Sequence, residues 1–160
     1  MKFNQKSFEA IDAVKTESIK RMCGFIAENS EKLRKEGVPV DNDCRLDMKA
    51  FSNIYGNNMV EKDQKLVEEY EAKWHPDIPI EDIAGKKKET SGEKLEILIT
   101  ALFAKFLGDK FIVVRSSLYD DVKNGIDNVV LEKESGALIC AFDEIANISD
   151  SDYEKKRDKI

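Results

Sequence analysis

Apolar positions recur mostly at three- and four-residue spacing from Phe8 to Leu33, through Ile11, Val14, Ile19, Met22 and Ile26. That period predicts one amphipathic helix over residues 5–36, because positions three and four apart share a helix face. Gly37, followed by Val38 and Pro39, supplies its stop. Gly24 is a point where it can bend or split. Residues 38–58 lose the period, and DNDC and YGNN are turn formers. A short helix is expected around 46–54, with Asp43 as its cap. A second clear helix is expected over 59–74, MVEKDQKLVEEYEAKW, with a narrow stripe of Leu66, Val67, Tyr70 and Trp74. Asn57 or Asn58 would cap it. WHPDIPIEDIAGKKKETSG then breaks the pattern and reads as a linker.

The strongest stripe follows. Leu95, Leu98, Ile99, Leu102, Phe103 and Phe106 predict a helix over 91–107 with that stripe as its core face. Thr90 and Glu93 stand at the spacing of a capping box, and Gly108 ends the helix. Beyond it the grammar is that of strands. FIVVRSS (111–117), IDNVVLE (126–132) and ALICAFDEI (137–145) are three β runs, and KESG, with Gly136, is the hairpin loop joining the last two. Residues 118–121 read as a turn or irregular edge. The third run is apolar on both faces, which predicts a central strand with Cys140 buried in it. SDSDYEKKRDKI begins like a capped helix.

The expected fold class is therefore α+β, a mixed sheet with helices. A helical N-terminal region (1–85) precedes a helix-strand-strand-strand-helix core (86–160).

Composition changes this picture little. Hydrophobic residues make up 41% and charged residues 36%, a globular mix with a charged surface. The net charge of −6 gives no support to DNA or membrane binding through overall charge, though a local patch such as KKKE at 86–89 stays open. Three dispersed cysteines suggest neither a disulfide framework nor a zinc knuckle, and a reducing, cytoplasmic setting is expected. No apolar run approaches the roughly 20 residues of a membrane span. His75 is the only histidine and reads as packing or helix-end capping, not zinc. No phosphate loop, dinucleotide fingerprint or nucleophile elbow is present.

The candidate chemistry lies in the hairpin. An antiparallel pairing of the last two runs sets the start of one beside the end of the other, so Asp127 and Asp143 become neighbours. Carboxylates that close repel unless a cation bridges them or one is protonated. Mg²⁺ takes such oxygen ligands. Bland readings stand beside this one: Asp127 as part of an NGID turn, Glu93 as a capping residue, Glu96 as the flank of a stripe, Glu144 as a solvent-facing neighbour of Asp143.

GID, a hydrophobic strand, a short hairpin and a second strand ending in DE, preceded by the helix GEKLEILITALFAKFLG, resemble the PD-(D/E)XK nuclease superfamily over roughly residues 88–150. The resemblance implies a restriction-endonuclease-like core and Mg²⁺-dependent hydrolysis of phosphodiester bonds in DNA. It assigns Asp127 and Asp143 as metal ligands and Glu96, with Glu93 second, as the helix glutamate. Asp120 and Asp121, with Tyr119, would line the same site. Two departures accompany it. Ile145 stands where the family has a lysine, leaving Lys155 or Lys156 as the candidate replacement. The family's last strand also has no counterpart. The alternative expectation is a catalytically inactive nuclease-fold protein used for binding or assembly, with the N-terminal helices as a homodimer or partner surface.

Overall fold

The computed structural model describes residues 5–87 and 90–143. Glu144, Ile145, Lys155, Lys156 and the expected terminal helix lie outside them. The described chain is mixed α+β. Helix α1 (Gln5–Lys35) leads to a 3-10 turn (Met48–Phe51) and a one-turn helix α2 (Ser52–Tyr55). Helices α3 (Asn57–Trp74), α4 (Ile80–Lys87) and α5 (Ser91–Leu107) follow, then strand β1 (Phe111–Arg115), a π-helical turn (Asp120–Asn124), and strands β2 (Asn128–Glu132) and β3 (Leu138–Phe142).

Helix α1 ends as its sequence demands. Gly37 adopts φ +88°, Val38 N–H donates to Leu33 O at 2.9 Å and Gly37 N–H to Arg34 O at 3.1 Å. This is a Schellman stop, and Val38 and Leu33 belong to one apolar cluster, the contact that accompanies the motif. Thr90 Oγ1 accepts from Glu93 N–H at 3.2 Å, which caps α5 as expected. The other caps differ from expectation. Asp47, not Asp43, accepts from Lys49 N–H at 2.9 Å and starts the 3-10 turn. Gly56, at φ +82°, precedes α3, so neither Asn57 nor Asn58 stands at the cap; both lie inside the helix. The segment expected to be a linker contains α4, whose Ile83 is buried and whose Lys87 donates to Glu71 of α3 at 2.7 Å. Its two prolines precede the helix and do not interrupt it.

The sheet is antiparallel in the order β1-β2-β3. Val113 pairs with Val130, and Val130 with Cys140. A register shift lies between Val130 and Leu131. Among the described residues the central strand is thus β2, and β3 is an edge with Leu138, Ile139, Cys140 and Ala141 exposed. Apolarity on both faces misreads this strand because composition does not record how many neighbours a strand has. Cys140 is exposed rather than buried.

One core cluster joins Ile26, Leu33, Val40 and Cys44 to Ile97, Ala101 and Val114. A second joins Ala104, Val113 and Val130, with Phe103 and Phe142 packed edge to face at 5.3 Å. The face that α5 buries is Ile97, Thr100, Ala101 and Ala104. Leu98, Leu102 and Phe106 of the expected core stripe are exposed. The small residues allow the helix to approach α1 and the sheet closely. On a helix apolar nearly all round, the larger residues do not mark the inward face.

Two outcomes test this arrangement. A Cβ at Gly108 would stand 2.2 Å from Ala104 O, so Gly108→Ala is expected to cost about 1–3 kcal/mol in urea unfolding. Burial pushes the Cys44 thiol up, so Cys140 is expected to react with a thiol reagent in the folded protein while Cys44 reacts only on unfolding, as peptide mapping would show.

Candidate metal centre

Strand β1 ends in Arg115, the largest fully buried side chain of the described residues. The loop before α2 lies against this strand. Arg115 N–H donates to Cys44 O at 2.8 Å and Leu46 N–H to Arg115 O at 3.1 Å, so Arg45 and Arg115 form a parallel bridge. Asp41 Oδ1 holds the loop by accepting from Asp43 N–H at 2.8 Å and Arg45 N–H at 2.9 Å. Cys44 takes φ +62°, a left-handed conformation uncommon outside glycine, and is fully buried there.

The two guanidinium groups meet the first turns of α5. Arg115 Nη1 donates to Glu93 Oε1 at 2.7 Å, and Arg115 Nη2 pairs with Glu96 Oε2. Arg45 Nη2 stands 3.4 Å from Glu96 Oε2 and 3.9 Å from Glu93 Oε2. Arg45 Nη1 donates to Asp121 Oδ2 at 3.0 Å and to Ser116 O at 3.3 Å.

Asp121 comes from the π-helical turn. Gly125, at φ +65°, closes that turn with its N–H on the carbonyls of Asp120 and Asp121. The next residues lead into β2, where Asp127 N–H donates to Phe142 O at 3.0 Å and Ser116 N–H to Asp127 O at 2.9 Å. Asp127 is 7% exposed. Beside it, Thr100 Oγ1 donates to Glu96 O at 2.7 Å and stands 2.7 Å from Asn128 Oδ1, which ties α5 to the start of β2.

Glu96, Asp121 and Asp127 therefore converge, each offering an oxygen within 4.8 Å of the other two. Oxygens on one Mg²⁺ at about 2.1 Å can stand at most about 4.2 Å apart, so small side-chain rotations would close the group. Two of the three, Glu96 and Asp127, are the helix and strand carboxylates singled out in the sequence; Asp121 was a secondary candidate there. Asp143 follows Phe142 at the end of β3, as the hairpin requires, but does not enter the group of three. Asp120 accepts from Ser117 Oγ at 2.7 Å and Asn124 Nδ2 at 2.9 Å, and so braces the turn. Glu93 pairs with Arg115 in addition to its place behind the Thr90 cap. Sequence reasoning missed Arg45 and Arg115. The legible signal for the second was an arginine closing the β-branched run FIVVR, where a charge needs partners.

Three carboxylates, Glu93, Glu96 and Asp121, thus pair with two guanidinium groups, and a fourth, Asp127, stands beside Glu96 and Asp121. Fully ionised, they leave an excess matching one divalent cation. The two glutamates respond oppositely. Burial pushes the Glu96 carboxyl above the ordinary value, and the Glu93 and Asp121 charges add to this against the pull of Arg115. For Glu93 burial acts upward as well, but Arg115, by hydrogen bond and charge, and then Arg45 hold it below the ordinary value. Burial works against the charge of Arg115, yet Glu93 and Glu96 more than offset it.

Comparison with protein-family models, with curated proteins and with solved structures finds no match for this chain.

Glu93→Gln and Glu96→Gln should part company in chemical denaturation at pH 7. The first leaves Arg115 with one charged partner and is expected to cost about 3 kcal/mol, toward the low end for breaking a buried pair. The second relieves crowding with Glu93 and Asp121 and should cost clearly less. The pH dependence follows. A carboxyl lowered on folding stabilises the fold above its unfolded value, and this is lost as pH falls through the folded value. Glu93→Gln should therefore flatten the loss of stability seen on acidification below the usual glutamate range. Glu96, raised on folding, disfavours the fold as pH climbs from that range, so Glu96→Gln should recover stability toward neutral pH.

Proposed function

We propose that this chain is a divalent-cation-dependent phosphodiesterase of the restriction-endonuclease-like kind, acting on DNA. The observation that carries the reading is the convergence of Glu96, Asp121 and Asp127 from a helix, a turn and a strand start. The donor set is all oxygen, which suits Mg²⁺ or Mn²⁺ rather than a soft metal. The order helix, strand, turn, hairpin with carboxylates on the helix and the second strand supports the same class.

Glu96, Asp121 and Asp127 would hold the cation, which when bound supplies an activated water and a counter-charge for the phosphoryl oxygens. The chain's own residues do the rest. Arg115 and Arg45 fix the orientation of Glu96, and Arg45 fixes Asp121 as well. The backbone pairing of Asp127 with Phe142 fixes the third ligand on the sheet. A cavity of about 350 Å³, lined by Met48, Tyr55, Ser117, Tyr119 and Asp120, opens beside the turn that carries Asp121. Without a lysine at position 145, positive charge near the carboxylates comes from Arg45 and Arg115.

The second reading, an inactive nuclease-like fold used for binding, is favoured by one observation. Both arginines are already committed to carboxylates, as in a structural ion-pair network.

Calorimetric titration with Mg²⁺ and Mn²⁺, together with cleavage assays on plasmid, linear and single-stranded DNA, decides the matter. Saturable binding and cleavage are expected, and Asp127→Asn should weaken metal binding by at least about 10-fold and abolish cleavage. Metal binding without cleavage of any DNA would favour the second reading. Absence of both would remove the metal centre.

A further inference from the structure

The cavity beside the π-helical turn, about 350 Å³ in volume, is walled by aromatic rings. Phe51 and Tyr55 stand with ring centroids 6.5 Å apart and planes tilted by 45°, and Tyr119 is a third ring, from the segment after β1. Met48 and Met59 add two thioethers. Gly56, at φ +82°, turns the chain from α2 into α3, so Tyr55 and Met59 reach one cavity from two helices. Both stay open to solvent, at 66% and 50% exposure, and form its rim.

The charges in its lining have one sign. Asp63, one turn after Met59 on α3, and Asp120 line the cavity, and no lysine or arginine does. Asp63 is half-buried and has no hydrogen bond or ion pair with another described residue. Asp120 accepts from Ser117 Oγ and Asn124 Nδ2, neutral groups that leave its charge in place. The flanking charges do not alter this balance. Lys49, Lys62 and Lys123 are exposed and are matched in number by Asp47, Glu61 and Asp121. Arg45, next to Leu46, is turned to Asp121 and Glu96.

We propose that this cavity binds a methylated ammonium cation, of the trimethylammonium type. The negative face of an aromatic ring attracts a cation, and recognition of quaternary ammonium groups is the established use of such rings. A bare ammonium is strongly hydrated and asks for several acceptors, whereas these walls are mostly rings and thioethers. Methyl groups on nitrogen spread the charge and pack on the rings and on the adaptable methionines. Asp63 and Asp120 disfavour an anionic ligand, and a neutral apolar one leaves them without a counter-charge. A volume toward the small end of ligand pockets suits a cationic head with a short tail. The site shares no residue with the group of Glu96, Asp121 and Asp127 and does not rest on it.

Choline, titrated calorimetrically into the full chain at low salt, is the probe. Saturable binding is expected, at least about 10-fold tighter than that of the alcohol in which carbon replaces the nitrogen, which has the same shape without the charge. It should also be tighter than that of butylammonium. With isotope-labelled methionine methyls, choline should shift the signals of Met48 and Met59 and leave that of Met22, which packs against the core. Tyr55→Ala and Asp63→Asn should each weaken binding by about 3-fold or more, and Tyr119→Leu by about 10-fold. Circular dichroism and the thermal midpoint verify folding. Tyr55 is exposed and Asp63 has no partner among the described residues, so these two variants carry the test if Tyr119→Leu is unstable. Absence of saturable binding at millimolar choline, equal binding of the neutral alcohol, or tighter binding of the primary amine would each overturn the proposal. So would unshifted Met48 and Met59 signals, or variants that bind choline as the parent chain does.

Discussion

A guanidinium group removed from water is stable only where carboxylates replace its hydration, and in this protein that constraint falls on Arg115. The side chain ends β1 with no exposed surface and meets two glutamates that lie one turn apart on α5. A fork of two nitrogens bonded to two carboxylates fixes the helix in both height and rotation over the strand. The inward face of α5 then follows. With Glu93 and Glu96 held against Arg115, Ile97, Thr100, Ala101 and Ala104 must face the sheet and α1, and the larger residues turn outward. A polar contact, not the hydrophobic stripe, decides which side of this helix is core.

The same frame makes the acidic group possible. Glu96 is drawn toward Asp121 and Asp127 while its charge is divided between two arginines. Arg45 reaches it from a loop held by Asp41 and by the left-handed Cys44. Strain at one buried backbone position is tolerated because the paired strand, the Asp41 hydrogen bonds and the apolar cluster around Cys44 all require it. Two of the three carboxylates that could take a cation, Glu96 and Asp121, are therefore also partners of the arginines, while the sheet backbone holds Asp127.

Much of the fold was legible in the sequence. The α1 stop, the Thr90 cap, the extent of α5 and the succession of three strands follow from glycines, a capping box and changes of period. What was not legible depended on contacts between segments distant in sequence. The edge position of β3 is a matter of neighbour count, which alternation does not encode. The helix α4 was hidden because prolines before a helix look like prolines in a linker. Within the site, Asp127 stood out because the hairpin pairing sets it beside Asp143, and Glu96 because the resemblance to the nuclease superfamily pointed to it. Asp121 was less distinct because its turn has no periodic signature, and Arg45 was invisible because only the tertiary bridge to Arg115 brings its loop to α5.

The π-helical turn at Asp120–Asn124 carries one more residue per turn than an α-helical course would, and Gly125 restores the chain to the strand direction. Successive residues on a helix differ by about 100° in heading. Gain or loss of a single residue in this turn would therefore re-aim Asp121 by about a quarter of a circle while leaving β1, β2 and the core contacts in place. The acidic group sits at a point where a one-residue change of length could assemble or dismantle it without altering the fold.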